Sequence, residues 1–155
     1  MYENAPVVNT EKTLLPSGVS IQDMRIGDGE EVIKGKRVNV QWVLKRSNGY
    51  SIDSSSENDG VPFIFVVGGG SSGDNKNVQR AIAGLDEGII GLKVGGIRRI
   101  VIPPSLAFVE GLEDGMPGPI PLGFGPKQRI RRVMVNRMDV PDESFIIDVK
   151  ATRVQ

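Results

Sequence analysis

The chain has 155 residues, 39% of them hydrophobic and 25% charged, with 19 basic side chains against 19 acidic ones. That is one domain long enough to bury a core, without the charge excess that draws proteins to nucleic acid or anionic lipid. Cysteine and histidine are both absent, which excludes disulfides, thiolate nucleophiles and zinc-finger sites, and removes the commonest general base, so no metal or cofactor is expected.

Residues 1–17 are polar and unperiodic and read as a flexible arm. They lack the basic-then-apolar pattern of a signal peptide, which fits a cytosolic start or a processed mature chain. From Val19 a short strand runs through SIQDMRIG to a turn at Gly27-Asp28-Gly29. The clearest strand follows. Val38, Val40, Trp42 and Leu44 fall on one face, and Asn39, Gln41 and Val43 on the other. Ser47-Asn48-Gly49 closes it with hairpin chemistry. Tyr50–Asp53 is a short or edge strand, Ser54–Gly60 a polar loop, and Pro62–Val67 a strand with Phe63, Phe65 and Val67 together. Gly68–Asn77 reads as a glycine- and serine-rich insertion outside the core.

Val78, Ala81, Ile82, Leu85 and Ile89 then make one helical stripe, with Asn77 placed to cap it and Gly88 and Gly91 to end it. Gly95-Gly96 opens a strand over Ile97–Ile102, stopped by Pro103-Pro104. Residues 105–127 read as a long loop, and 128–143 as a basic stretch followed by an acidic one. The last strand is Phe145–Val154, with Phe145, Ile147, Val149 and Ala151 on one face. The expected fold is α+β, an antiparallel sheet covered by a single helix. No apolar run approaches the roughly 20 residues that cross a bilayer.

Few residues carry chemistry on their own. The glycines at 68–73 precede no Gly-Lys-Ser/Thr, so they are not a phosphate cradle. Asp86, Glu87, Glu110, Glu113, Asp114, Asp142 and Glu143 show no metal or acid–base spacing and read as solvated surface. Asp53 differs, because it follows an apolar strand position and precedes three serines. Lys127, Arg129, Arg131, Arg132 and Arg137 concentrate positive charge. Nucleic acid, an acidic protein or a plain exposed face could account for it, and the missing aromatics and neutral total weigh against nucleic acid.

Several blocks occur in a fixed order: the Gly-Asp-Gly turn, a strand with a central aromatic, Asp53-Ser54-Ser55, Pro62-Phe63-Ile64-Phe65, Gly84-x-x-x-Gly88 leading to Leu92-x-Val94-Gly95-Gly96, and the closing Phe145-x-x-Asp148-Val149. Over about residues 18–155 this set resembles the FK506-binding (FKBP-type) family of peptidyl-prolyl isomerases. The resemblance implies a half-wrapped antiparallel sheet around one short helix, with a ligand cup between them. It places insertions at about 68–77 and 115–143. Rotation about an X–Pro bond meets a barrier of roughly 18–20 kcal/mol set by amide resonance. A dry apolar cup favours the twisted, less polar amide, so no nucleophile is needed.

Carried onto this chain, the resemblance puts Trp42, Ile52, Asp53, Phe63, Ala81, Ile82, Leu85, Phe108 and Ile147 in the cup, with the Ile82 backbone N–H as donor to a bound carbonyl. Several depart from the family. Trp42 stands where tyrosine is usual, Ile52 and Ile147 where phenylalanine is usual, Leu85 for the tryptophan of the cup floor, and Phe108 for a tyrosine. Flat walls and one hydroxyl donor are lost, a bond of about 0.5–1.5 kcal/mol. Weak or absent isomerase activity follows as the expectation. The PGPIPLGFGP run is similar to that of plant chloroplast members, many of them in the thylakoid lumen, one a lumenal subunit of the NADH dehydrogenase-like complex. This implies a scaffold subunit docking through the proline run and through Lys127, Arg129, Arg131, Arg132 and Arg137 onto a large thylakoid complex, with no nucleic acid. The alternative is a working prolyl isomerase or chaperone.

Overall fold

Alternation builds the centre of the molecule. In β3 (Arg37–Arg46), Val38, Val40, Trp42 and Leu44 turn inward and are buried while their neighbours face outward. A computed structural model describes residues 11–68, 79–136 and 143–155. Around β3 it sets β1 (Thr13–Leu14), β2 (Ser20–Arg25), β4 (Ser51–Ser54), β5 (Phe63–Val66), β6 (Ile97–Ile102) and β7 (Phe145–Val154). The antiparallel sheet runs β1-β2-β6-β7-β3-β4, with β5 also on β3. One edge of β3 pairs with β7. On its other edge β5 holds Arg37–Val40 and β4 holds Val43–Lys45.

The helix α1 (Ala83–Gly88) lies on the apolar face of β6. Two glycines one turn apart allow the close approach. A Cβ on Gly84 would collide with Ile102, and one on Gly88 would come within 2.7 Å of the Ile100 Cγ2. The contact then buries Leu85 and Ile89 with Phe145, Ile147, Val149 and Ala151 of β7. Gly84→Ala should therefore cost about 1–3 kcal/mol through overpacking, despite alanine's better helix propensity. Urea unfolding checks this, and an unchanged midpoint would refute the close-packing account.

α1 is shorter than the stripe in the sequence implies. Ile82, with φ −56° and ψ 148°, is not helical. Gln79 bridges Phe65 and Ala81 bridges Gly118, so residues 79–82 are held extended by partners distant in sequence. Val78 and the expected cap Asn77 lie outside the described residues, as does the glycine-rich segment from Gly69. At the other end of the chain, Thr13 and Leu14 pair with Ile21 and Ser20 rather than belonging to a loose arm.

A second helix, α2 (Phe124–Asn136), occupies part of the stretch expected to be loop. Pro126 sits in its first turn, where the missing N–H has no intrahelical partner to lose. Ile130 and Val133, three residues apart, are fully buried and pin α2 to the core.

Two ionic centres brace the sheet. Arg98 is only 6% exposed. It donates from Nε to Asp23 Oδ1 at 2.7 Å and from Nη1 to the carbonyls of Gly88 and Ile90 at 2.9 and 2.8 Å. It thus ties the end of α1 to β2. Asp148 accepts from Arg99 Nε at 2.8 Å and from Lys45 Nζ at 3.1 Å. Burial raises its pKa, but the hydrogen bonds and charges of Arg99 and Lys45 outweigh that and hold it below the ordinary 3.8. A carboxyl lowered on folding stabilises above its unfolded pKa, and the effect is lost as pH falls through the folded value. Asp148→Asn should lower Tm at pH 7, with the gap to wild type closing below about pH 4; a pH-independent gap would exclude the linkage. Glu143, expected on the solvated surface, is instead 7% exposed and accepts from Arg46 Nε at 3.0 Å.

Candidate functional site

The residues expected to form the cup come from six pieces of the chain. β3 supplies Trp42, β4 supplies Ile52 and Asp53, and β5 supplies Phe63. Ala81 and Ile82 lead into α1, which carries Leu85, and Ile147 lies on β7. Phe108 follows the 3-10 turn Pro104–Leu106. Apart from the half-buried Ala81, each of them is 5% exposed or less. Leu85 and Ile147, which the resemblance puts in place of aromatic walls, are fully enclosed in the core. Phe108 packs edge-on against Phe145, with ring centroids 5.5 Å apart.

Beside Phe63, Ala81 and Ile82 runs the chain's own segment from Met116 to Leu122. The Ile82 N–H, expected to serve a bound carbonyl, donates to the carbonyl of Gly118 at 2.9 Å. The Gly118 N–H in turn donates to the Arg80 carbonyl, also at 2.9 Å. These bonds make a parallel bridge that lays Gly118 beside Ala81. Pro117, Gly118, Pro119 and Pro121 are buried, and the Gly118–Pro119 peptide is cis. Gly118 has no side chain, and this lets its backbone lie flat. A Cβ there would stand 3.2 Å from the Phe63 ring and 2.8 Å from the Ile120 nitrogen.

The second polar handle is engaged too. Asp53 Oδ2 accepts from Asn58 Nδ2 at 2.8 Å. Asn58 Oδ1 accepts from the Leu122 N–H at 3.0 Å, so Asn58 links the carboxylate to the crossing segment. From α2, Arg129 Nη1 donates to the Ile52 carbonyl at 3.2 Å and ties the helix to β4.

The segment borders two clefts. On one side a cleft of about 190 Å³ keeps Trp42 and Phe63 and is shared with Pro119, Ile120 and Leu122. On the other side a cleft of about 210 Å³ keeps Ala81 and Ile82 and is shared with Pro117. Ile52, Asp53, Leu85, Phe108 and Ile147 line neither. Both remnants are smaller than the roughly 300–1,000 Å³ usual for a small-molecule site. The residue-by-residue reading missed Gly118 and Asn58. The only hint was a Pro-Gly-Pro run, the composition that lets a backbone approach another closely.

Lys127, Arg129, Arg131 and Arg132 all lie on α2, and Arg137 is outside the described residues. The proline run is not the exposed strip that the docking expectation required, because its prolines are buried. Exposure passes instead to Leu122 and Phe124, each 73% exposed. Among the described residues no helix is long and apolar enough to cross a membrane.

Comparison with known proteins agrees with this architecture. A family model described as FKBP-type peptidyl-prolyl cis-trans isomerase matches residues 28–127. The chain is 40% identical over 110 residues to the chloroplastic peptidyl-prolyl cis-trans isomerase FKBP16-3 of Arabidopsis thaliana, covering 71% of this chain and 43% of that protein. It is 39% identical over 113 residues to FK506-binding protein 3 of Yarrowia lipolytica, covering 73% of this chain and 25% of that protein. It therefore spans less than half the length of either relative. The crystal structure of AtFKBP13 superposes with a TM-score of 0.58 at 25% identity, covering 92% of this chain and 98% of that one. FkpA from Escherichia coli has the same TM-score at 24% identity, covering 93% and 51%, and shows the fold alone. The family model spans well over half of the chain, relatives about 40% identical cover more than two thirds of it, and the chain belongs to the FKBP-type peptidyl-prolyl cis-trans isomerases.

Proposed function

We propose that this chain is a chloroplast FKBP-type domain acting as a structural or assembly subunit of a thylakoid complex, with prolyl isomerisation weak or lost. The observation that carries the reading is the Gly118 carbonyl on the Ile82 N–H. A substrate carbonyl would have to displace it, along with the buried prolines on either side. The chloroplast assignment is supported by relatives whose names place them there. The thylakoid lumen, and a place in the NADH dehydrogenase-like complex, rest on the likeness of the proline run to plant lumenal members. Lys127, Arg129, Arg131 and Arg132 would supply the docking charge, and no cofactor takes part.

A protease-free assay on a proline tetrapeptide tests the central claim. The expected rate is close to that of the uncatalysed reaction, whereas a rate typical of an active family member would refute it. Native electrophoresis of thylakoid extracts tests the other half, where the chain should migrate with a large complex rather than alone. The open cleft beside Trp42 and Phe63 favours one second reading, a binder of apolar peptide side chains with residual isomerase activity.

A further inference from the structure

The outward face of α2 carries two features that folding does not explain. Solvated helices usually mix charges of both signs. Here every charged residue of the helix is basic, although the chain as a whole balances 19 against 19. The same face exposes large apolar side chains. Phe124 is 73% exposed and Val135 is 75% exposed. With 3.6 residues per turn, Phe124, Arg131 and Val135 at i, i+7 and i+11 form one stripe about 16 Å long, and Arg132 flanks it. The apolar residues that the core needs, Ile130 and Val133, are fully buried on the other side of the helix. Arg131 and Arg132 are exposed and have no hydrogen-bond or ion-pair partner among the described residues. Beyond the start of the helix come two more exposed apolar residues, Leu122 (73%) and Val61 (61%), both of which line the Trp42–Phe63 cleft.

We infer that this face docks an acidic amphipathic segment of a protein partner. Carboxylates of the segment meet Arg131 and Arg132, and its apolar side chains cover Phe124 and Val135. The inference rests on the scaffold reading and adds the chemistry of the partner. Charge complementarity selects the class. An anionic membrane would need a continuous apolar face to sink into the lipid, and the apolar side of α2 is committed to the core. A nucleic acid would need a longer cationic track with aromatic stacking, and Phe124 is the helix's one aromatic residue.

The test uses the whole chain and a labelled helical peptide about three turns long, with leucines on one face and glutamates beside them, read by fluorescence anisotropy. A matched peptide with lysine in place of glutamate is the control. The acidic peptide should bind and the basic one should not, and binding should weaken as salt is raised. Arg131→Glu with Arg132→Glu should weaken it at least about tenfold, and Phe124→Ser severalfold. All three residues are exposed, and circular dichroism is the check that the variants fold. Equal binding of both peptides, no binding, or indifference to the variants would overturn the inference. So would preference for phosphatidylglycerol vesicles or single-stranded DNA over the acidic peptide. Binding that appears only after removal of residues 1–10 would assign the face to those residues of the same chain and also overturn it. High isomerase activity would refute the scaffold reading through a separate measurement, without altering the peptide result.

Discussion

Gly118→Val should unseat the segment that borders the two clefts and return the Ile82 N–H to solvent. The position tolerates no side chain, since even a Cβ would stand 3.2 Å from the Phe63 ring and 2.8 Å from the Ile120 nitrogen. Phe63 cannot easily retreat, because it is buried and stacked on Phe65 at a centroid distance of 5.2 Å. Overpacking of this kind costs about 1–3 kcal/mol. The cheapest relief is loss of the two bonds joining Gly118 to Arg80 and Ile82. Hydrogen exchange at the Ile82 amide should then speed up by about tenfold or more, since 1.4 kcal/mol corresponds to a factor of ten. A proline tetrapeptide should also bind the variant more tightly than wild type. Unchanged exchange at Ile82 in a folded variant would show that the segment does not close the cup. Asn58→Ala approaches the same point from the other end by releasing Leu122 and Asp53, and avoids any steric clash.

Arg98→Ala should be the most destabilising single change in the sheet. The guanidinium is nearly enclosed and satisfies the carbonyls of Gly88 and Ile90 together with Asp23. Removing it leaves buried acceptors without donors and empties the space of a long side chain. Breaking such a buried charged network typically costs about 3–5 kcal/mol. For a chain of this size that is a fall in Tm of roughly 6–20 °C. Arg98→Lys should recover only part of the loss, because one ammonium cannot reproduce the planar fork that reaches three acceptors. Calorimetry decides the matter, and a drop of less than about 1 kcal/mol would mean that water replaces the guanidinium without difficulty.

Strands were legible wherever period two met a clear stop. β6 ends at Ile102 before Pro103-Pro104, and β7 runs from Phe145 to Val154, both as the alternation indicates. The helical stripe was legible only in part. Leu85 and Ile89 do face the core, but Ala81 and Ile82 join it as extended chain. Their partner, Gly118, is remote in sequence, and local periodicity carries no trace of it. α2 was hidden by Gly123, Gly125 and Pro126, which read as loop chemistry although proline is tolerated in a first helical turn. Its apolar signal is also thin, with only Ile130 and Val133 fully buried and Arg131 and Arg132 facing water. Of the residues that the family's ordered blocks put in the cup, Trp42, Phe63, Ala81 and Ile82 border the two clefts. The backbone contact of Gly118 with Ala81 and Ile82 had no signal in the sequence, because it depends on hydrogen bonds between segments that come together only in three dimensions.

The register between β6 and β7 has a consequence for how such a chain can change. Ile102 and Phe145 are paired neighbours, so the chain leaves the sheet after Ile102 and rejoins it at Phe145 on the same rung. The crossing segment and α2 both belong to that one excursion. The entropy of closing a loop grows only with the logarithm of its length. The excursion can therefore lengthen, shorten or be exchanged while the ladder on either side keeps its alignment. The segment beside Ile82 and the helix α2 thus lie in a single connection, between two strands that need not alter to accept a change in it.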